Sequence, residues 1–383
     1  MRIPTFHFCT LIVLLLGITS ASAYFGFVSR HAKVAKGRKK PGLTAWDPML
    51  SHNYNFEDNY IDDGRGNRGI SSTKLCEMMN LHKKQKRMCR RGRGVARTLL
   101  DAIELSVMEC QFQFQQERWN CSLSEPHRRN LLKKGFKETS FLYAMSSASL
   151  VHEFARACSS GRLDRCTCDE SKSLQNKEAW RWGGCGDNVK YGFRFTRRFL
   201  RRARRRGKDH RAMINQHNSK LGIRVVRSNV NTTCKCHGVS GSCTVRTCWQ
   251  QLSPFHKIGN ILKRKYERAL KVEVDNNISY GKYELPKGEI SNAIRGANPF
   301  LSSYGSNMVY MDDSPSYCSR SKFSLGTTGR ECDKDRNCDA ICCGRGYNVQ
   351  TKVYNRSCAC QVVWCCDFHC KQCRFEEEVH LCK

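Results

Sequence analysis

Acidic residues are scarce in this chain: 34 Asp and Glu stand against 66 Lys and Arg in 383 residues, a formal charge of +32. Such an excess excludes a polyanion-like surface and directs attention to anionic partners. Long apolar runs are lacking too. The one sustained run, Phe8 to Gly17, is too short to span a bilayer, and no later segment approaches that length. It follows Arg2 and precedes the small triplet Ala21-Ser22-Ala23, the pattern of a signal peptide over residues 1–23 that is cleaved after Ala23. A chain exported this way meets matrix polyanions and not nucleic acid, so its basic clusters are not nuclear signals.

Cysteine is what the chain has in excess. There are 25, and removal of Cys9 with the leader leaves 24, an even number compatible with twelve disulfides formed in an oxidising lumen. Structural zinc is the competing use, because Cys370-x-x-Cys373 beside His369 has ligand spacing. A thiol-rich secretory chain oxidises before it metallates, so no metal is expected. Four sequons, at Asn120, Asn231, Asn277 and Asn355, are the expected N-glycan acceptors, with Asn120 disfavoured by the cysteine that follows it.

The mature length of about 360 residues suits two domains, and the cysteine density divides them. Residues 24–70 lack helical periodicity, carry basic residues early and end in the polar stretch Asp62 to Gly69, the composition of a loosely ordered arm. Residues 71–274 read as a helical domain. Val95, Leu99, Ile103, Cys110 and Phe114 mark one amphipathic helix; Phe141, Met145, Ala148, Val151 and Ala155 a second; Val189, Phe193, Thr196 and Leu200 a third. A fourth begins at Ser253-Pro254, read as an N-cap and a first-turn proline. His152 and His217 fall within this domain and read as packing residues rather than ligands. Residues 275–310 read as a linker. Residues 311–383 form a small cysteine-rich domain in which 347–354 and 361–364 look like hairpin strands. Cross-links there substitute for a large core, each loop of about 15 residues contributing roughly 3 kcal/mol in the entropic account.

Two surface features carry functional meaning. The run Arg194 to Arg206 reads as a stripe for heparan sulfate, with Arg201, Arg202, Arg204, Arg205 and Arg206 as candidate contacts. The second is Cys234-Lys235-Cys236-His237-Gly238-Val239-Ser240-Gly241-Ser242-Cys243-Thr244-Val245-Arg246-Thr247-Cys248-Trp249. Nested bridges Cys234–Cys248 and Cys236–Cys243 would make a stiff hairpin, residues 234–248, with Ser240 at its apex. A serine held that way serves either as a hydrolase nucleophile or as the acceptor of a covalent group. The first requires G-x-S-x-G, and this block lacks the final glycine.

That block resembles the Wnt family of secreted morphogens. So do ECQFQFQQERWNC (Glu109 to Cys121), RWGGCGDN (Arg181 to Asn188), CCGRG (Cys342 to Gly346) and WCCDFHCKQC (Trp364 to Cys373), in one register from about Cys76 to Cys382. The segments at Tyr24 and Gly135 are most similar to the Wnt-9 branch. The resemblance implies a two-domain fold: a mostly α N-terminal domain with the disulfide-stapled β-hairpin as a thumb, and a small cysteine-rich C-terminal domain whose β-hairpin is an index finger. It implies an O-palmitoleoyl ester on Ser240 installed by the acyltransferase Porcupine, export by the carrier Wntless, and no catalysis and no cofactor beyond that lipid and N-glycans. Thumb and finger, the latter bearing Trp364, Cys365, Cys366 and Phe368, would grip the cysteine-rich domain of a Frizzled receptor. An Lrp-type co-receptor would complete the signalling complex in development and cell-fate specification, and heparan sulfate proteoglycans would hold the ligand in the matrix. The family pattern pairs Cys110 with Cys121, Cys158 with Cys166, Cys168 with Cys185, Cys318 with Cys343, Cys332 with Cys338, Cys342 with Cys382, Cys358 with Cys373, Cys360 with Cys370, and Cys365 with Cys366, leaving Cys76 and Cys89. Chemistry supports the lipid: at about 0.8 kcal/mol per buried CH₂, a sixteen-carbon chain supplies on the order of 10 kcal/mol before ordering costs. The other class consistent with the charge is a heparin-binding matrix protein without receptor activation, which would not need Ser240.

Overall fold

The computed structural model describes residues 71–79, 81–121, 125–169, 184–203, 210–272, 304–363 and 367–383. The signal peptide, the basic arm 24–70, Asn277 and most of the 275–310 linker lie outside the described residues. So do Arg204, Arg205, Arg206, Trp364, Cys365 and Cys366.

The helices in chain order are α1 (Ser72–Met78), α2 (Lys83–Cys89), α3 (Val95–Gln113), α4 (Glu125–Leu131), α5 (Lys137–Ser159), α6 (Val189–Ala203), α7 (His210–Ser228), α8 (Phe255–Glu267) and the short α9 (Cys338–Ile341). α5 is the axis of the body. It is buried on nearly every side from Glu138 to Cys158, which its composition permits because many of its polar positions are small hydroxyl residues. Their hydroxyls return to backbone carbonyls: Ser146 donates to Leu142, and Ser147 reaches Ser219 of the neighbouring α7 at 2.8 Å. Small residues let neighbours come close. Gly222 of α7 lies where a Cβ would stand 1.9 Å from the Ala144 carbonyl oxygen, and Gly192 of α6 where one would stand 2.4 Å from that of Val151. α3 and α8 close the remaining sides, with Phe114, Phe141 and Tyr266 meeting edge to face.

The helices read from periodicity are α3, α5, α6 and α8. The start of α8 differs from the expectation: Pro254 occupies the N-cap position, and the Ser253 hydroxyl instead donates to Asn229 O at 2.6 Å. α7 escapes a periodicity reading because polar Asn215, Asn218 and Ser219 interrupt its buried face among Ile214, Leu221 and Val225. The Asn218 amide acts as a strand partner, accepting from Val309 N at 3.1 Å and donating to Val309 O at 2.8 Å.

No break in packing occurs at residue 311, where the second domain was expected to begin. Val309 and Tyr310 (β4) pair in parallel with Leu270 and Lys271 (β3). Tyr317 is buried against Trp119, and Phe323 packs on Phe136. Glu138 of α5 accepts hydrogen bonds from Tyr266 at 2.9 Å and Ser314 at 2.6 Å. Burial, with the Glu138 carboxylate nearby, pushes the Tyr266 phenol far above its ordinary range, so it remains a donor. The reason is physical: apolar residues after the linker find their burial on the helical body, since the cysteine-rich region has almost no interior of its own.

His217 of α7 bonds this returning segment through Asn307 O at 2.8 Å. Burial holds the imidazole below its usual pKa. A depressed histidine contributes stability that is complete above its unfolded value near pH 6.5 and declines as the pH falls towards the lower folded value. Thermal melts from about pH 7 to about pH 5 are therefore expected to show the native chain losing Tm relative to His217→Gln, whose amide keeps the donor without the titration. Parallel pH profiles would refute this.

The C-terminal region is a ribbon. Tyr347–Val363 (β6) and Asp367–Cys382 (β7) pair antiparallel, and Glu331–Cys332 (β5) adds to the other edge of β7. A strand of this length spans about 55 Å. β6 runs unbroken through 355–360, where two separate strands were expected, with a bulge between Cys358 and Gln361 and Ala359 at φ 46°. Most of the ribbon is exposed on both faces. Residues 355–360 therefore show no apolar alternation, and the ladder there is held by bridges rather than burial.

Candidate functional site

Val230–Cys236 (β1) and Arg246–Leu252 (β2) form an isolated antiparallel hairpin. Cys234 stands directly opposite Cys248 and is bonded to it; Cys236 is bonded to Cys243. Between them the chain makes one 3₁₀ turn, Val239–Gly241, closed by Gly238 N donating to Ser242 O at 2.8 Å and Gly241 N to Gly238 O at 2.9 Å. Gly238 is required by close approach: a Cβ there would fall 2.1 Å from Ser242 Oγ. Ser240 sits at the apex with φ 55°, ψ 27°, the left-handed region that a serine adopts only when its surroundings impose it. It is exposed, its hydroxyl makes no side-chain hydrogen bond among the described residues, and Val239 beside it is 90% exposed. His237 is engaged elsewhere, its Nε2 on Thr247 Oγ1 at 3.0 Å. A hydrolase nucleophile needs a strand-to-helix turn and a general base in reach; this serine lies in a strand-to-strand turn, and among the described residues no histidine or carboxylate hydrogen-bonds its hydroxyl. What the geometry offers is a bare, projecting hydroxyl.

The base of the hairpin is anchored by residues to which the sequence assigns no such role. Asp187 accepts from Leu252 N at 2.8 Å and from Ser159 Oγ at 2.7 Å, while its own N–H donates to Gln250 O at 2.8 Å. Gly184 lies against the Trp249 ring, where a Cβ would fall 2.5 Å from the indole. The Gly-Cys-Gly-Asp stretch is thus the socket of the hairpin. On the other side, His152 Nε2 lies 3.2 Å from Ser253 O and its Nδ1 3.4 Å from Glu153. Burial alone would raise the Glu153 carboxyl, but the hydrogen bond and charge of His152, with Arg162 and Arg156, hold it below its ordinary range. Asp187→Ala is expected to lower stability by about 2–3 kcal/mol and Asp187→Asn by about half that, since a carboxylate accepting two hydrogen bonds is lost or neutralised. Chemical denaturation measures this, and faster amide exchange at Leu252 would locate it.

At the far end, the exposed ribbon carries Cys358–Cys373 and Cys360–Cys370 near its tip. Cys370 and Cys373 thus have no thiolate to offer zinc beside His369. The cluster Cys332, Cys338 and Cys342 is likewise bridged, Cys332 to Cys338 and Cys342 to Cys382. Phe368 lies in β7 opposite Val362, which is 71% exposed. Cys318–Cys343 completes this region. In the body, disulfides join Cys76–Cys89, Cys110–Cys121, Cys158–Cys166 and Cys168–Cys185. The ribbon's root is fixed to the helical body by Arg330, whose guanidinium donates to the carbonyls of Gln115, Glu117 and Arg118 just beyond α3. Sequence inspection offered no signal for this clamp, since an arginine among 66 basic residues does not stand out.

Of the glycan acceptors, Asn231 and Asn355 are exposed on strands and Asn120 is half-buried. Arg201 is exposed on α6, and Arg202 follows it in the same helix.

Residues 77–383 match the Wnt family model. Protein Wnt-9a of Gallus gallus is 55% identical over 310 residues, spanning 81% of this chain and 86% of that protein. Protein Wnt-9b of Homo sapiens is 50% identical over 317 residues, 82% and 87% of the two chains. Among solved structures, a chain of the human WLS complex with WNT8A is 35% identical and superimposes with a TM-score of 0.55, covering 76% of this chain and 94% of that one.

Proposed function

This chain belongs to the Wnt family, and on that premise we propose that it is a lipid-bearing ligand that binds Frizzled through Ser240 and the C-terminal ribbon. Members of the family are secreted signalling ligands, not enzymes, and the general role of Wnt ligand applies here. The observation that carries the finer reading is the setting of Ser240: exposed, left-handed, without a side-chain partner, at the tip of a doubly bridged hairpin rooted on Asp187. Porcupine transfers palmitoleate to its hydroxyl. The acyl chain, lying beside Val239 and Val245, which are also exposed, enters an apolar groove of the Frizzled cysteine-rich domain. Trp364, Cys365, Cys366 and Phe368 press on the receptor as the second grip. An Lrp-type co-receptor joins the complex, and signalling follows from the proximity of the two receptors.

The WLS complex of the similar structure supports export by the Wntless carrier, which shields the lipid from water. Asn231 and Asn355, both exposed, are the favoured N-glycan acceptors, with Asn277 a third sequon and the half-buried Asn120 disfavoured. Heparan sulfate proteoglycans retain the cationic protein in the matrix.

Mass spectrometry of the Ser240 peptide from secreted protein, with and without acyltransferase inhibition, tests the reading. A monounsaturated sixteen-carbon adduct that disappears with inhibition, together with receptor binding, supports it. An unmodified Ser240 in protein that still binds and signals would overturn the lipid mechanism and leave Trp364 and Phe368 to carry recognition.

A further inference from the structure

Three neighbouring helices, α2, α6 and α7, contain four, six and four Lys or Arg respectively and no Asp or Glu. Elsewhere in the helical body basic residues are interleaved with carboxylates, as in Arg97–Asp101, Arg162–Asp101 and Lys263–Glu117. The three helices are joined side to side. Gln85 of α2 is buried and its amide reaches Phe199 O of α6 at 3.4 Å. Phe193 of α6 lies between two guanidinium groups, Arg197 of its own helix at 5.2 Å from the ring centroid and Arg227 of α7 at 5.6 Å.

The outward residues follow from helical periodicity. On α6 they are Lys190, Arg194, Arg197, Arg198 and Arg201, spaced so that they form one stripe about 16 Å long, while Val189, Gly192, Thr196 and Phe199 face α5 and α2. On α2 they are Lys83, Lys84 and Arg87, with Gln85, Met88 and Cys89 inward. None of these outward residues makes a direct salt bridge to a carboxylate among the described residues, though the charge of Lys190 acts on Asp169. We infer that α2, α6 and the end of α7 form one binding face for a sulfated polysaccharide chain, in which α2 contributes as much as the arginine-rich helix. The inference rests on the matrix-retention part of the proposed function and moves its centre from the arginine run 201–206 to α2 and the exposed stripe of α6.

The chemistry favours a linear polyanion over a membrane. Helices that lie on bilayers expose large apolar side chains on the face they insert. Here no large hydrophobic residue of α2, α6 or α7 is among the exposed ones, and Phe193 is already covered by its two arginines. Guanidinium predominates on α6, and its planar fork matches sulfate and carboxylate oxygens in pairs. Cations on adjacent helices present a strip wider than one helix, which suits a flexible chain of repeated charges.

The test uses the full secreted protein and a heparin oligosaccharide of defined length. Four variants are compared with the native chain: Lys83→Ala/Lys84→Ala/Arg87→Ala on α2, Arg194→Ala/Arg197→Ala/Arg198→Ala on α6, the five arginines 201, 202, 204, 205 and 206 to Ala, and a control, Arg320→Ala/Arg336→Ala/Arg374→Ala. The control residues are exposed, and Arg336 and Arg374 already pair with carboxylates. The α2 and α6 variants are each expected to bind about tenfold more weakly at physiological salt, with a shallower salt dependence, while the control stays within about twofold. Unchanged Tm establishes that the variants are folded. If only the α6 or 201–206 variant weakens binding, the joint face is refuted and matrix retention stands. If the control loses as much as the α2 variant, binding is diffuse and the face is refuted. If the native chain does not bind heparin, matrix retention itself fails, and the inference with it. Vesicles of phosphatidylcholine with and without phosphatidylserine provide the last arm. A preference for the anionic vesicles that the α2 variant abolishes, without any change in heparin binding, would reassign the face to membranes.

Discussion

Ser240→Ala is expected to weaken binding to a Frizzled cysteine-rich domain by about a thousandfold or more and to leave the fold intact. The lipid's gross contribution is on the order of 10 kcal/mol, from about 0.8 kcal/mol per buried CH₂. Ordering the chain and the receptor groove consumes part of it, and a thousandfold loss, about 4 kcal/mol, is a conservative remainder. Stability should not change, because the Ser240 side chain is exposed and supports no hydrogen bond. Alanine meets much the same left-handed penalty that Ser240 already bears, about 1–2 kcal/mol, and the turn is fixed by two bridges and the Gly238–Ser242 contacts. Titration of the receptor domain against variant and native protein in detergent decides it. A loss below about tenfold would mean that the ribbon tip, not the lipid, dominates recognition.

Gly222→Ala is expected to be the most damaging single methyl addition in the helical body. Two effects oppose one another. Alanine is the better helix former by about 1 kcal/mol, which would stabilise an exposed site. Here the new Cβ would stand 1.9 Å from Ala144 O and 2.5 Å from Ser147 Oγ. The first is a backbone atom of the central helix and cannot swing away, so α7 must retreat and surrender the Ser147 to Ser219 hydrogen bond at the same crossing. Overpacking of this kind costs about 1–3 kcal/mol and sometimes more, and the backbone clash places this case at the upper end. The net loss should be about 2–3 kcal/mol after the propensity gain, visible as a lowered denaturation midpoint and reduced secretion. Gly192→Ala, with a gap of 2.4 Å to Val151 O, should behave similarly but less severely. Native stability in Gly222→Ala would mean that α5 and α7 are more widely separated than described.

Much of this was legible in residue order alone because it depends on local chemistry. The spacing of cysteines and glycines around Ser240 defines a stapled turn whatever surrounds it, and helices with one apolar stripe, such as α6, announce themselves by period. α7 does not, because its buried asparagines and serines make sense only beside the carbonyls of α5 and β4 that they satisfy. The same holds where residue order reads 275–310 as a linker and 311–383 as the cysteine-rich region: nothing in Met308 and Val309 of the first, or Tyr317 of the second, says that the helical core will bury them.

By itself, the sequence determined the cationic character, the stapled hairpin and the serine at its tip, since each follows from composition or from residues close together in the chain. Tertiary structure decided what those parts are anchored to. Asp187 roots the hairpin from 65 residues away, and Arg330 pins the ribbon to carbonyls 212 to 215 residues distant. The basic residues of α2 and α6 became one face because Gln85 and Phe199 meet. Such contacts are invisible in the sequence because a hydrogen bond to a backbone carbonyl carries no side-chain signature in the partner: any residue can supply the oxygen, and only the fold selects which one does.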